Sequence, residues 1–121
     1  MAIAATLFCV TDASAQDVEA GKLAFRKCSA CHADDAKTNK VGPHLADVIG
    51  RKAGGVEGYT YSEAMKDAGE AGLVWNEATL AEYLAAPRTK VPGTKMAFAG
   101  IKKPEELQNL VAYLKSLSDA Q

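Results

Sequence analysis

Residues 28–32 read Cys28-Ser29-Ala30-Cys31-His32, two thiols three residues apart with an imidazole directly after the second. On a helical turn, positions i and i+3 share a face, so both sulfurs can bond the vinyl-derived carbons along one edge of a haem. The next residue is then carried over the ring, where a nitrogen of His32 can ligate the iron. No other common chemistry needs this pentapeptide, which is the signature of c-type haem attachment. A haem held by one histidine has a second face to fill. The candidate is Met96, in Pro92-Gly93-Thr94-Lys95-Met96-Ala97-Phe98. A loop rich in Pro and Gly brings a thioether to iron free of helical geometry. Met65 occupies an apolar position on a short predicted helix and reads as core filler. His44 reads as an exposed loop histidine, awkwardly placed to reach the opposite face of the ring.

Rival uses of the same residues fit less well. A zinc module would need both histidines, and one of them adjoins Cys31, which is poor geometry for a tetrahedral site. A thioredoxin-like oxidoreductase would set C-x-x-C in a βαβ pattern, and no such pattern surrounds it. A small haem enzyme of peroxidase type, or a haem-based sensor, would need an open or labile sixth position; it stands as the alternative function.

The elements that must position these residues read as helices. Asp17 is a fair N-cap for a first helix carrying Val18, Gly21, Leu23, Ala24 and Phe25, expected to run to Cys28 or Cys31. Residues 33–58 are punctuated by Gly42-Pro43, Gly50, Gly54-Gly55 and Gly58, and read as loops with one short turn near Leu45–Ile49. Thr60 with Glu63 suggests a capping box for a helix through Met65 to Ala68. Asn76 caps the next helix, which Pro87 stops, and residues 88–103 read as irregular. Pro104 suits the first position of a last helix with Glu105 and Glu106 in its first turn and Lys115 in its last. Its apolar stripe is Leu107, Leu110, Val111, Leu114 and Leu117. No strand alternation, internal repeat or low-complexity segment is present.

The chain has 121 residues, enough for one domain. Hydrophobic residues make up 48%, which supports a core, but aromatics are only 7%, and a buried macrocycle would supply the missing bulk. A net charge of −1 excludes a nucleic-acid binder driven by overall charge. Between Pro87 and Pro104 stand Arg88, Lys90, Lys95, Lys102 and Lys103 and no acid. This run is either a solvated face or a docking surface for an acidic partner. Residues 1–15, with apolar Ala2–Val10 and the A-x-A site Ala13-Ser14-Ala15, resemble a secretory signal peptide lacking a basic start. The expected domain is 16–121. Cys9 falls in the leader, which leaves two cysteines, both in the pentapeptide. That usage suits thioether assembly after export, so the expected location is the periplasm or the equivalent intermembrane space. No run reaches 18 apolar residues, so no membrane span is expected.

Beyond the pentapeptide, several motifs occur in a recognisable order: Gly21, Phe25, Gly42-Pro43, Gly50-Arg51-Lys52-Ala53-Gly54, Gly58-Tyr59-Thr60-Tyr61-Ser62, Trp75, Tyr83, Pro92-Gly93-Thr94-Lys95-Met96 and Leu110-Val111-Ala112-Tyr113-Leu114-Lys115. Over about residues 17–118 the sequence resembles the class I cytochrome c family of mitochondria and related bacteria. The resemblance implies an all-α, single-domain fold of four to five short helices around one covalently bound haem c, with the first and last helices packed together. It implies thioethers on Cys28 and Cys31, and His32 and Met96 as axial ligands. The Pro43 carbonyl would accept from the His32 ring. Arg51, Tyr61 and Trp75 would donate to a buried propionate, and the Tyr83 hydroxyl would approach the Met96 sulfur. Gly21 and Phe25 would contact Leu110 and Tyr113. After Gly42-Pro43 the chain reads His44-Leu45-Ala46-Asp47, where relatives carry Asn-Leu-His-Gly.

The function so implied is one-electron transport by a soluble monomer, with no catalytic residue. Expected partners are a quinol–cytochrome c reductase and a terminal oxidase, with a photosynthetic reaction centre or a dehydrogenase as others. Lys22, Lys27, Arg88, Lys90, Lys95 and Lys102 are expected to ring the exposed haem edge. Lys95, beside Met96, is a candidate replacement ligand at alkaline pH.

Overall fold

The computed structural model describes residues 17–119; the predicted leader and Cys9 lie outside them. Helix α1 spans Val18–Ala24 and continues as a 3₁₀ turn, Phe25–Lys27; α2 is Glu63–Glu70, α3 Glu77–Ala85, α4 Pro87–Lys90 and α5 Pro104–Asp119. Among the described residues there is no strand, only an isolated antiparallel bridge between Lys52 and Val74.

Local chemistry sets most of the boundaries. The Asp17 carboxylate accepts from the Ala20 N–H at 3.0 Å, and the Asp17 N–H donates to Asn109 Oδ1 at 2.9 Å, tying α1 to α5 from its first residue. The α-helix does not reach Cys28. It tightens at Phe25 into i→i+3 bonds, and residues 28–32 form a separate turn closed by the His32 N–H on the Cys28 carbonyl at 2.9 Å. The cap of α2 is Ser62, not Thr60: Ser62 Oγ accepts from the Met65 N–H at 3.1 Å, while the Thr60 carbonyl accepts from Lys95. Asn76 and Thr79 form the reciprocal box that opens α3. Pro87 both ends α3 and starts the one-turn α4, where irregular chain was expected, because its fixed φ suits a first helical position. Leu45–Ile49 is a turn and no more, with the Val48 N–H on the Leu45 carbonyl at 3.3 Å. Helix α5 extends to Asp119, so Lys115 lies inside it and pairs with Glu77 of α3 at 2.9 Å instead of serving the helix end.

The frame is the crossing of α1 over α5. Phe25 and Tyr113 meet with ring centroids 5.8 Å apart, over a fully buried Leu110. A Cβ on Gly21 would lie 1.9 Å from the Asn109 carbonyl oxygen. Only glycine permits the two backbones to come this close. The remaining chain, from Cys28 to Lys103, wraps around a cavity beside this crossing.

Candidate haem site

This cavity has a volume of about 430 Å³, within the range of cofactor-sized sites, and its walls are mostly apolar. Cys28, Cys31, His32, Pro43, Arg51, Tyr61, Trp75, Tyr83 and Met96, drawn from every part of the domain, all line it. A larger depression of about 720 Å³ on the outer side of α1 and α5 is more open and holds no cysteine, histidine or methionine.

The 28–32 turn brings both thiols, which are not joined as a disulfide, and the imidazole to this cavity. Burial pushes the Cys28 thiol up, with Lys27 opposing. The Pro43 carbonyl accepts from His32 Nδ1 at 2.6 Å. That bond fixes the tautomer, so Nε2 keeps the lone pair that a metal needs, and it makes the ring a better donor. Burial lowers the His32 pKa, against the Pro43 bond and with help from Arg51 and Lys40, so the ring is neutral. Gly42 is the second glycine that the site requires: a Cβ there would lie 2.3 Å from His32 Cε1.

Met96 comes from the irregular segment between α4 and α5. The Thr94 N–H donates to the Val91 carbonyl at 3.0 Å, and Thr94 Oγ1 shares a 2.7 Å bond with the Tyr83 hydroxyl. The bonded partner of Tyr83 in this structure is thus Thr94. Trp75 packs on Tyr83 at 5.1 Å. Met65, on α2, is buried at the cavity wall, as core filler should be.

Arg51 carries the clearest sign of a missing polar partner. Its Nη1 donates to the His44 carbonyl at 2.8 Å and to Asp47 at 3.3 Å, yet its buried Nε has no acceptor. Tyr61, on the same cavity, accepts from the Val56 N–H at 3.0 Å, which leaves its own O–H to donate. A carboxylate inside the cavity would answer both groups, and burying one without such donors would be costly. The residues present therefore fit a haem: paired thiols, a neutral imidazole, a thioether and two donors for a propionate.

One expectation needs correction. His44 is buried, not exposed, because Arg51 grips its carbonyl and Asn39 Oδ1 accepts from its N–H at 3.2 Å; it does not line the cavity. Of the basic residues expected around the haem edge, Lys27 and Lys95 line the cavity itself, and Lys27 is paired with Glu106. Lys90 is paired with Glu82, and Lys102 donates to the Ala85 carbonyl at 2.9 Å, capping α3. Sequence reasoning passed over Tyr59, whose place on the cavity depends on contacts far along the chain.

The profile of the Cytochrome c family matches residues 18–118. The cytochrome c2 of Agrobacterium tumefaciens (strain II Chrys) is 59% identical over 99 residues, 81% of this chain and 89% of that one. The cytochrome c-550 of Nitrobacter winogradskyi is 57% identical over 99 residues, 81% of this chain and 88% of its own. Among solved structures, cytochrome c2 from Rhodospirillum centenum superposes with a TM-score of 0.79 at 38% identity, covering 84% of this chain and 98% of that one. Cytochrome cH from Methylobacterium extorquens gives 0.75 at 48% identity, covering 83% and 98%. The C-x-x-C-H turn at Cys28, Cys31 and His32 fits covalent attachment of haem c, and the chain belongs to the cytochrome c family, with its all-α class I fold and its covalently bound haem c.

Proposed function

We propose that this electron carrier holds its haem iron between His32 Nε2 and the Met96 sulfur, with Cys28 and Cys31 as the thioether anchors. The observation that carries the reading is the convergence of these four side chains on one cavity, with His32 already oriented by Pro43. Bound haem supplies a single iron that exchanges one electron. The protein does the rest. Met96 offers a soft, neutral, weakly donating sulfur, which raises the reduction potential relative to a second histidine. His32 is held by the Pro43 carbonyl. Arg51 and Tyr61 receive the propionate charge. With His32 and Met96 both committed to the iron, no position would remain for a substrate, and the chain would act as a carrier, not an enzyme.

The partners proposed are a quinol–cytochrome c reductase as donor and a terminal oxidase or photosynthetic reaction centre as acceptor, or a dehydrogenase, met in the periplasm by a monomer. No helix among the described residues is long and apolar enough to cross a membrane. Lys27 and Lys95 at the cavity favour brief docking to an acidic surface, so transfer rates should fall steeply with ionic strength. Flat rates from low to high salt would refute this docking mode. The ligation is tested with Met96→Ala: the reduced variant should bind carbon monoxide near neutral pH while the parent does not. Equal binding by both would overturn Met96 as ligand.

A further inference from the structure

We propose that Tyr59 is a positioning residue that clasps the Met96 loop across the mouth of the cavity. The proposal deepens the ligation reading above and rests on it.

The Met96 segment has little regular structure of its own: between α4 and α5 no helix forms, and the Met96 N–H has only a long 3.4 Å bond to Thr94 Oγ1. Side chains must therefore hold it. On one flank Tyr83 holds Thr94. On the other flank stands Lys95, and its ammonium has two partners. It donates to the Thr60 carbonyl, and it lies over the Tyr59 ring at 4.6 Å from the centroid. Tyr59 is in turn fixed at both ends. Its hydroxyl donates to the Val41 carbonyl at 2.7 Å, and its ring meets Tyr61 edge-to-face at 4.7 Å. Val41, Tyr59, Tyr61 and Lys95 all line the cavity, and Val41 is 75% exposed, which puts this join at the surface.

One aromatic side chain thus links three segments: the strand of chain leading into Pro43, the turn after Gly58, and the loop bearing the thioether. The cation–π contact and the Lys95 bond exist only while the loop is closed. Removing them leaves the closed state with Tyr83 alone, so the fraction of molecules with the thioether off the iron must rise. A small external ligand for ferric iron reports that fraction directly, since its apparent affinity scales with the population that can accept it.

The test is imidazole binding to the ferric holoprotein, followed by the visible spectrum. Tyr59→Leu, which removes the ring, should bind imidazole about tenfold more tightly than the parent. Tyr59→Phe, which loses only the bond to Val41, should gain about threefold. Lys95→Gln should also tighten binding, and added to Tyr59→Leu it should contribute less than it does in the parent, because the cation–π contact is already gone and only the bond to Thr60 is left to lose. In a Met96→Ala background, changing Tyr59 should make no difference. If Met96→Ala binds no better than the parent, the ligation reading falls and takes the clasp with it. If Met96→Ala binds tightly while Tyr59→Leu matches the parent, or if the Tyr59 and Lys95 effects simply multiply, the clasp alone is overturned. Should Tyr59→Leu fail to fold, Tyr59→Phe and Lys95→Gln, singly and together, decide the same question.

Discussion

Gly21→Ala puts a single methyl group into the crossing of α1 and α5. On an exposed helix this change would stabilise by about 1 kcal/mol, since alanine is the better helix former. Here the new Cβ would sit 1.9 Å from the Asn109 carbonyl oxygen and 2.7 Å from Tyr113 Cβ, where ordinary contact begins at 3.4 Å. Both obstacles lie on or close to the backbone of α5, so neither can swing aside. The helices must part by an ångström or more, and a gap of 0.5–1 Å already forfeits a quarter to a half of each atom pair's attraction. Phe25, Leu110 and Tyr113 would bear that loss together. Overpacking a core typically costs about 1–3 kcal/mol, and loosening these three residues adds to it. The expected net loss is about 2–4 kcal/mol, a fall in Tm of roughly 10–25 °C for a domain of this size. Urea unfolding of the holoprotein, followed by far-UV circular dichroism, measures it. A Gly21→Ala variant as stable as the parent would refute the close-approach argument.

Two other perturbations address the ring and its surroundings. Gly42→Ala drives a Cβ into the His32 ring, so the 2.6 Å bond to Pro43 should break; potentiometry should show a shifted reduction potential, and an unchanged potential would show that the ring has room. Burial, aided by Arg51 and Lys37 and opposed by Asp47, lowers the His44 pKa below 6.5. The unfolded chain therefore takes up the proton first, and stability should drop as pH falls from about 6.5 toward the lowered folded value. His44→Gln should flatten that part of a Tm-against-pH profile, and an unaltered slope would discharge His44 from the role.

What could be read from the sequence was what local chemistry decides. The spacing of Cys28, Cys31 and His32 is a covalent requirement of the haem, and no tertiary contact can change it. Asp17, Asn76 and Pro104 start helices through bonds or dihedrals within four residues of themselves. The errors arose where a distant residue cast the deciding vote. Thr60 was the expected cap, but Ser62 serves instead, and the Thr60 carbonyl is used by Lys95, 35 positions away. His44 sits in a loop with no apolar pattern, and its burial comes from the grip of Arg51. Tyr59 looked like one aromatic among several, since its bond to Val41 spans 18 residues.

The bond from Asp17 to Asn109 joins points 92 residues apart, so the whole electron-carrying apparatus is one large closed loop of chain. Closing such a loop costs entropy that grows only with the logarithm of its length, about 4 kcal/mol for this one. The debt falls due before any of the distant contacts exist to offset it. A short tether between the two helices would lessen that burden without touching the pigment. Its effect would be to speed refolding, while the colour and potential of the finished protein stayed as they were.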